Sequence, residues 1–187
     1  MVIPPSKILP EQLETDRLII RVAKLGDGAA FNAAIVESLS ELAPWLGWVT
    51  PTPSIEQSEQ SCRKAYARYL QNEDLMVFLI FKNSGVLVGG SGLHNADWIQ
   101  GIFEVGYWSA TGHGGKGLVT EGVRALSNYA LKDLHANRVF LTTDNLNAKS
   151  WRLAERAGFK LEGILINERF NLQGKSRNTR VYAQTTA

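Results

Sequence analysis

The residues Gly112-His113-Gly114-Gly115-Lys116-Gly117, four glycines in six positions, most constrain what this chain can fold into. Before them, apolar and polar residues alternate from Phe103 to Trp108, which is the period of a strand. After them, apolar residues recur at helical spacing between Val119 and Ala130. Arg138 to Thr143 is predicted as the next strand. The chain therefore contains a strand, a tight glycine turn, a helix and a second strand, which is a βαβ crossover.

The remaining segments place this crossover in an α+β protein. We predict strands at Leu18–Val22, Leu75–Lys82, Val86–Leu93 and twice between Phe159 and Gln184, and helices at Asp27–Leu42, from Ser54 to about Gln71, and at Asn147–Ala157. Hairpins outnumber crossovers in this order, so the expected fold is a mixed, largely antiparallel sheet flanked by helices, with one central βαβ crossover. We expect one domain over residues 1–187, with residues 1–12 as a loose N-terminal extension.

Composition excludes several classes of partner. The net charge of +2 gives no general attraction to nucleic acid or to an anionic membrane. The longest apolar stretch, Leu75 to Phe81, is too short to cross a bilayer, and residues 1–10 do not have the pattern of a signal peptide. The single cysteine, Cys62, cannot form an internal disulfide, so we expect a reducing, cytoplasmic compartment. No metal cofactor is expected.

The glycine turn predicts an anion site. Backbone N–H groups at a helix N-terminus and the helix dipole favour phosphate, and Lys116 adds a cation. A P-loop is excluded because Gly117, not Ser or Thr, follows Lys116 and Ala110 replaces the first glycine. The dinucleotide fingerprint G-x-G-x-x-G fits Gly112, Gly114 and Gly117, although a hairpin and a third strand precede it here. A plain tight turn is the remaining alternative.

Six short segments in a fixed order point to one family. They are Leu13-Glu14-Thr15-Asp16-Arg17-Leu18, Pro44-Trp45-Leu46, Glu104-Val105-Gly106-Tyr107-Trp108, Gly115-Lys116-Gly117-Leu118-Val119-Thr120-Glu121, Asn147-Ala148-Lys149-Ser150 and Glu155-Arg156-Ala157-Gly158-Phe159. With them the chain resembles the GNAT acetyltransferase superfamily, and within it the RimJ/RimL-like branch of protein N-terminal acetyltransferases. The resemblance implies an acyltransferase that uses acetyl-coenzyme A as co-substrate.

The resemblance also implies where the coenzyme binds. The residues concerned are Val105, Tyr107, His113, Gly114, Gly115, Lys116, Gly117, Leu118, Val119 and Asn147, with the pyrophosphate on the turn and Asn147 on the pantetheine arm. Two positions depart from the family's Q/R-x-x-G-x-G/A pattern. Gly114 stands in the Gln or Arg place and Val119 in the last small-residue place, which removes a side-chain contact but keeps the backbone amides. His113 either substitutes in part for that contact or is a solvent-exposed turn residue.

Amide formation needs a group that takes a proton from the amine and one that stabilises the leaving thiolate. Histone-acetylating relatives place a general-base glutamate on the strand that carries Glu104, so Glu104 is the candidate base; a polar residue on an alternating strand, with water as base, is the alternative. The tyrosine acid of many relatives is Ala154 here. The RimJ/RimL-like branch instead has a serine at Ser150, which either donates to sulfur or is a first-turn helix residue.

The acceptor is expected to be a primary amine, either a protein N-terminus of the ribosomal-protein type or a small molecule. In the resembled family the loop carrying Trp45 and Trp48 flanks the acceptor, so both are candidate substrate-binding residues, with core packing as the alternative. Two other functions stay open: a non-catalytic acyl-coenzyme A binding module, and a nucleotide-linked oxidoreductase. The resemblance suggests a homodimer.

Overall fold

The structure, a computed structural model, describes residues 11–186. In this range eight strands form one sheet: β1 (Gln12–Glu14), β2 (Leu18–Val22), β3 (Leu75–Phe81), β4 (Val86–Asp97), β5 (Ile102–Ser109), β6 (Arg138–Asp144), β7 (Lys160–Phe170) and β8 (Ser176–Thr185). The helices are α1 (Gly28–Glu37), α2 (Leu39–Leu42), α3 (Ile55–Leu70), α4 (Leu118–Lys132) and α5 (Ala148–Ala157), with a 3₁₀ turn at Gly47–Val49.

The sheet order is β1-β2-β3-β4-β5-β6-β8-β7. Among the described strands β5 and β6 form the single parallel pair, joined by α4, and every other neighbouring pair is antiparallel. The predicted α+β fold with one central βαβ crossover is therefore confirmed. The loose extension predicted at residues 1–12 lies mostly outside the described residues, but Gln12 already belongs to β1.

The helix predicted at Asp27–Leu42 is wrong in one respect, because Ser38 divides it into α1 and α2. The fully buried Ser38 hydroxyl donates to the carbonyl oxygen of Ala34 (2.6 Å) and accepts from the amide of Thr111 (2.8 Å). Thr111 directly precedes the glycine turn. The hydrogen bond between Thr111 and Ser38 thus anchors the start of the glycine turn at the junction of α1 and α2.

Helix α3 begins with a capping box. The Ser54 hydroxyl accepts from the amide of Gln57 (3.2 Å), and the Gln57 side chain accepts from the amide of Ser54 (2.8 Å). Two N–H groups of the first turn are thereby satisfied, which starts α3 at Ile55.

Two apolar layers cover the two faces of the sheet. On one face α4 and α5 pack on the strands, and Phe103 and Val105 point into this layer. On the other face Trp108 of β5 packs with Phe31 of α1 (ring centroids 5.9 Å apart) and Phe31 packs with Phe78 of β3 (5.2 Å). Strand β5 therefore contributes side chains to both layers, because its residues alternate between the faces.

Cys62 lies in the second layer, fully buried. Burial, together with the nearby carboxylates of Asp27 and Glu59, raises the pKa of its thiol to about 12. Because the thiolate is the nucleophilic form of cysteine, Cys62 serves packing and not covalent catalysis.

Candidate active site

A cleft opens where the parallel strands β5 and β6 separate. The two strands pair at Ile102–Arg138, Phe103–Val139 and Glu104–Phe140, and their pairing ends there. Beyond this point a cavity of about 270 Å³ lies between them, walled by residues 105–109 on one side and 141–144 on the other. Val119, Asn147 and Ser150 also line it. The cleft therefore joins the start of α4 to the start of α5.

The glycine turn at the head of α4 has the backbone that the sequence predicts. Gly112, Gly115 and Gly117 adopt left-handed φ values of +80°, +76° and +74°, which L residues with side chains disfavour. Gly117 is the N-cap of α4. No atom lies within 4 Å of a Cβ placed at Gly114 or Gly115. The space outside Gly114 and Gly115 is therefore open to a ligand.

The turn is held from behind by the β1–β2 hairpin. Arg17 donates to the carbonyl oxygen of Lys116 (3.0 Å) and forms an ion pair with Glu121 of α4 (2.6 Å). The Thr15 hydroxyl donates to the same carboxylate (2.5 Å). The Lys116 ammonium donates to the carbonyl oxygen of Gly112 (3.0 Å). The glycine turn and the N-terminal hairpin, which are far apart in the sequence, thus form one structural unit.

We expect Glu121→Gln to destabilise the protein by about 1–3 kcal/mol at pH 7, because hydrogen bonds to a part-buried charged group are lost. Burial alone would raise the pKa of Glu121, but the hydrogen bonds from Thr15 and Arg17 outweigh it and the pKa is lowered. A lowered pKa stabilises the fold above the ordinary glutamate pKa, and this stabilisation is lost as pH falls through the folded-state value. The difference between wild type and variant in urea denaturation should therefore shrink on acidification.

The exposed glutamate of the Arg68–Glu73 pair (3.9 Å) provides the control, since Glu73→Gln should change the free energy of unfolding by much less. Equal stability of Glu121→Gln and wild type at pH 7 would show that the Arg17–Glu121 contact does not hold the turn.

Ser150 and Tyr107 meet at the inner end of the cleft. The Tyr107 hydroxyl donates to the Ser150 carbonyl oxygen (2.9 Å) and lies 3.2 Å from the Ser150 hydroxyl. Burial raises the pKa of Tyr107 to about 12, so its phenol keeps its proton at neutral pH. The Asn147 side chain caps α5 by accepting from the amide of Ser150 (3.2 Å). Two hydroxyl groups are thus placed together where the strands diverge.

A second cavity of about 460 Å³ lies on the α1 and α3 face of the sheet. Its walls include the apolar side chains Phe31, Leu46, Trp48, Met76 and Trp108, and it also includes His94. Leu46, Gly106, Tyr107 and Trp108 line both cavities. The two cavities therefore approach each other along β5.

The structure separates the other predicted site residues. Trp45 lines the cleft between the strands and Trp48 lines the second cavity, and both are partly exposed, at 38% and 52%. Glu104 lines neither; its carboxylate accepts from Asn95 (2.7 Å) and from the Thr142 hydroxyl (3.4 Å).

Three of the predicted coenzyme-contacting residues in or just after the turn, His113, Leu118 and Val119, carry side chains that are buried or partly buried. The side chains of Leu118 and Val119 are buried in the core, so these residues offer a ligand mainly their backbone. His113 is partly buried in the turn and lines neither cavity.

Sequence reasoning missed the contact of Tyr107 with Ser150 and the position of His94. The residues that contact Tyr107 and His94 lie 43 and 20 positions away, so no local spacing reveals them. The glycines of β4 are a sequence signal that could have indicated the position of His94, because a glycine inside a strand often marks a place where another group approaches the backbone closely.

Comparison with known proteins assigns the family. Residues 17–160 match the family described as Acetyltransferase (GNAT) domain. The chain belongs to this family. It is 30% identical to the putative ribosomal N-acetyltransferase YdaF of Bacillus subtilis (strain 168) over 149 residues, 79% of this chain and 80% of that protein. It is 28% identical to the ribosomal-protein-serine acetyltransferase of Escherichia coli (strain K12) over 129 residues, 67% and 72% of the two chains.

Solved structures of acetyltransferases share the fold. RimL, described as a ribosomal L7/L12 α-N-protein acetyltransferase in complex with coenzyme A, superimposes with a TM-score of 0.86 over 94% of this chain and 98% of that chain, at 19% identity. The predicted GNAT family, its fold and the acetyltransferase class are confirmed. The oxidoreductase alternative is not supported, because a sheet with one parallel pair lacks the repeated βαβ units of a dinucleotide-binding domain.

Residues 11–186 contain neither a metal-binding cluster nor a membrane-spanning helix. Within this range no group of three or more His, Cys, Asp or Glu side chains is arranged to hold a metal ion. No helix of the described part of the chain is both long and apolar enough to cross a membrane.

Proposed function

We propose that this GNAT acetyltransferase transfers the acetyl group of acetyl-coenzyme A to the α-amine of a protein N-terminus, of the ribosomal-protein type. The observation that carries the proposal is the cleft between β5 and β6, which has the glycine turn at the head of α4 near one end and two hydroxyl groups at the other. The two relatives named above support this acceptor class, since their names specify ribosomal acetylation. A protein acceptor of this type implies a cytoplasmic location.

The coenzyme is proposed to bind along the cleft. Its pyrophosphate accepts hydrogen bonds from the amides of residues 115–119, where the helix dipole of α4 favours negative charge. The pantetheine arm follows the backbone of β5 at Val105 and Tyr107, which has no strand partner on the β6 side beyond Glu104. The side-chain amide of Asn147 donates to the arm. These contacts bring the thioester to Ser150.

Ser150 is proposed to stabilise the leaving group. As the amine attacks the thioester carbonyl, the carbon–sulfur bond breaks and negative charge develops on sulfur. The Ser150 hydroxyl donates a hydrogen bond to that sulfur, and the neighbouring Tyr107 hydroxyl, which keeps its own proton, positions Ser150 by donating to the Ser150 carbonyl oxygen.

The acceptor is proposed to enter from the face of the sheet opposite α4. The second cavity there is apolar and partly open, and its wall includes Trp48, so it fits the first side chains of a peptide. Trp45 lies at the cleft itself, with the Arg177 guanidinium 5.8 Å from its ring centroid.

A homodimer is also proposed, in line with the exposed apolar side chains Ile164, Leu165 and Ile166 on the edge strand β7.

The test is acetylation of a synthetic peptide with an N-terminal serine. Thiol release from acetyl-coenzyme A should require this peptide, and mass spectrometry should place one acetyl group on its α-nitrogen. The same peptide with a formylated N-terminus, and one beginning with N-acetyl-serine, are the controls and should release no thiol above background. Binding of acetyl-coenzyme A without any acetylation of the serine peptide would favour a non-catalytic module and contradict the proposal.

We expect Gly114→Gln to tighten coenzyme A binding about three- to tenfold, because it restores a side-chain donor to the pyrophosphate in the family's pattern. Gly114 lies outside the left-handed region, and a Cβ added there meets no atom within 4 Å, so the change is sterically free. Calorimetric titration with coenzyme A measures it.

Gly115→Gln is the matched control. It places the same side chain on a residue with a φ of +76°, a conformation that side chains disfavour, and should weaken the binding of coenzyme A. Weaker binding of coenzyme A by Gly114→Gln would contradict the placement of the pyrophosphate at this turn.

A further inference from the structure

Asp74 and His94 form a pair that no local sequence motif reveals. Nδ1 of His94 in β4 lies 2.5 Å from Oδ1 of Asp74, which directly precedes β3. Oδ2 of Asp74 is paired with Arg68 of α3 (2.9 Å), and Oδ1 also accepts from the amide of Leu75 (2.9 Å). Burial alone would raise the pKa of Asp74, but His94 and Arg68 outweigh it and the pKa is lowered. Asp74 is therefore an ionised carboxylate that holds one edge of the imidazole.

Two glycines leave the space in which that imidazole lies. A Cβ at Gly92 would lie 2.6 Å from Cε1 and Nε2 of His94, and a Cβ at Gly106 would lie 3.3 Å from Nε2. The ring thus lies against the backbone of β4 and β5, in space that side chains at these positions would fill. Within residues 11–186, Nε2 of His94 makes no hydrogen bond. The side chain is 36% exposed and lines the second cavity.

This arrangement leaves Nε2 as a proton acceptor. An imidazole that donates its Nδ1 proton to a carboxylate carries a lone pair on Nε2, and the carboxylate stabilises the imidazolium that forms when a proton arrives. Gly106, over which the ring lies, lines both the second cavity and the cleft between β5 and β6. The free nitrogen therefore lies where an amine from the second cavity would approach a thioester in the cleft.

We propose that Nε2 of His94, oriented by Asp74, takes the proton from the acceptor amine. This inference rests on the proposed function. The amine nitrogen forms a bond to the acetyl carbon, the nitrogen gives its proton to Nε2, and the carbon–sulfur bond breaks with its electron pair on sulfur. The imidazolium then releases its proton to water, and the thiolate takes one from water. Asp74 is a positioning residue in this step.

Glu104 is the competing base. It faces His94 directly in the β4–β5 register, but its two oxygens accept from Asn95 and Thr142, and it lines neither cavity. The titratable and charged groups around the His94 ring are Asp74 before β3, Arg68 of α3, and Glu104 and Tyr107 of β5. Among these groups, His94 offers an unpaired acceptor nitrogen at the wall of the second cavity, beside Gly106, which lines both cavities.

The decisive variant is His94→Asn, assayed with the serine peptide. An asparagine amide keeps a donor for Asp74 but has no nitrogen at the Nε2 position. We expect kcat to fall roughly a hundredfold, with unchanged affinity for acetyl-coenzyme A in calorimetry. His135→Asn is the matched control, since His135 is exposed, lines neither cavity and has a φ of +54° that asparagine tolerates.

A second variant, His94→Ala, tests the chemistry independently of the fold. It leaves an open space beside Gly92 and Gly106, and added imidazole should restore part of kcat, with a rescued rate that rises with the basicity of substituted imidazoles, which filling the space alone would not produce. Wild type that fails to acetylate the serine peptide overturns the proposed function and this inference with it. Active wild type with an unchanged kcat in His94→Asn, or no rescue of a slowed His94→Ala by imidazole, overturns this inference alone.

Discussion

Replacement of Ser150 by alanine is expected to lower kcat about tenfold to a hundredfold while the dissociation constant of acetyl-coenzyme A stays near the wild-type value. The reason is that the hydroxyl's bond to sulfur strengthens as charge develops, so it stabilises the transition state more than the bound coenzyme. The fold of α5 should persist, because the cap at Asn147 uses the Ser150 amide and not its hydroxyl.

Steady-state kinetics with a saturating serine peptide, combined with calorimetry for acetyl-coenzyme A, separates these two effects. Ser84→Ala, in the turn between β3 and β4, is the control and should leave both quantities unchanged. A wild-type kcat in Ser150→Ala would show that Ser150 is only a helix residue beside Tyr107.

Replacement of Gly117 by valine is expected to weaken acetyl-coenzyme A binding by about tenfold to a hundredfold. Gly117 has a φ of +74°, so a β-branched residue there costs roughly 1–3 kcal/mol or moves the backbone amides that bind the pyrophosphate. The new side chain would also point toward the Arg17 guanidinium, 3.6 Å from the added Cβ, and disturb the support of the turn.

Gly174→Val separates this effect from general strain. Gly174 has a similar φ of +72° in the turn between β7 and β8, with no atom within 4 Å of an added Cβ. It should lower the melting temperature to a comparable extent but leave acetyl-coenzyme A affinity unchanged. Equal affinities of Gly117→Val and wild type in calorimetry, with the fold intact, would contradict the placement of the pyrophosphate.

The elements that local patterns specify were predicted well. The glycine turn, the apolar spacing after Val119 and the capping box at Ser54 each act within a few residues, so the βαβ crossover and α3 follow from the sequence. Ser38 shows the limit of such patterns. Its helix break depends on a hydrogen bond from Thr111, 73 residues away, and no helical propensity encodes that contact.

The candidate site divides in the same way. The glycine turn is local and was predicted, whereas its supports are tertiary. Arg17 contacts Glu121, which is 104 residues away in the sequence. His94 pairs with Asp74, which directly precedes the neighbouring strand β3 and is 20 residues away. Glu104 stays a prediction as base, whereas His94 lines the cavity through which the acceptor is proposed to enter.

The most direct test of the central claim is a crystal structure of the protein with coenzyme A. We expect the pyrophosphate on the amides of residues 115–119, the pantetheine arm between β5 and β6, and the sulfur within hydrogen-bonding distance of the Ser150 hydroxyl. Coenzyme A bound outside the cleft, or with its sulfur away from Ser150, would contradict the claim.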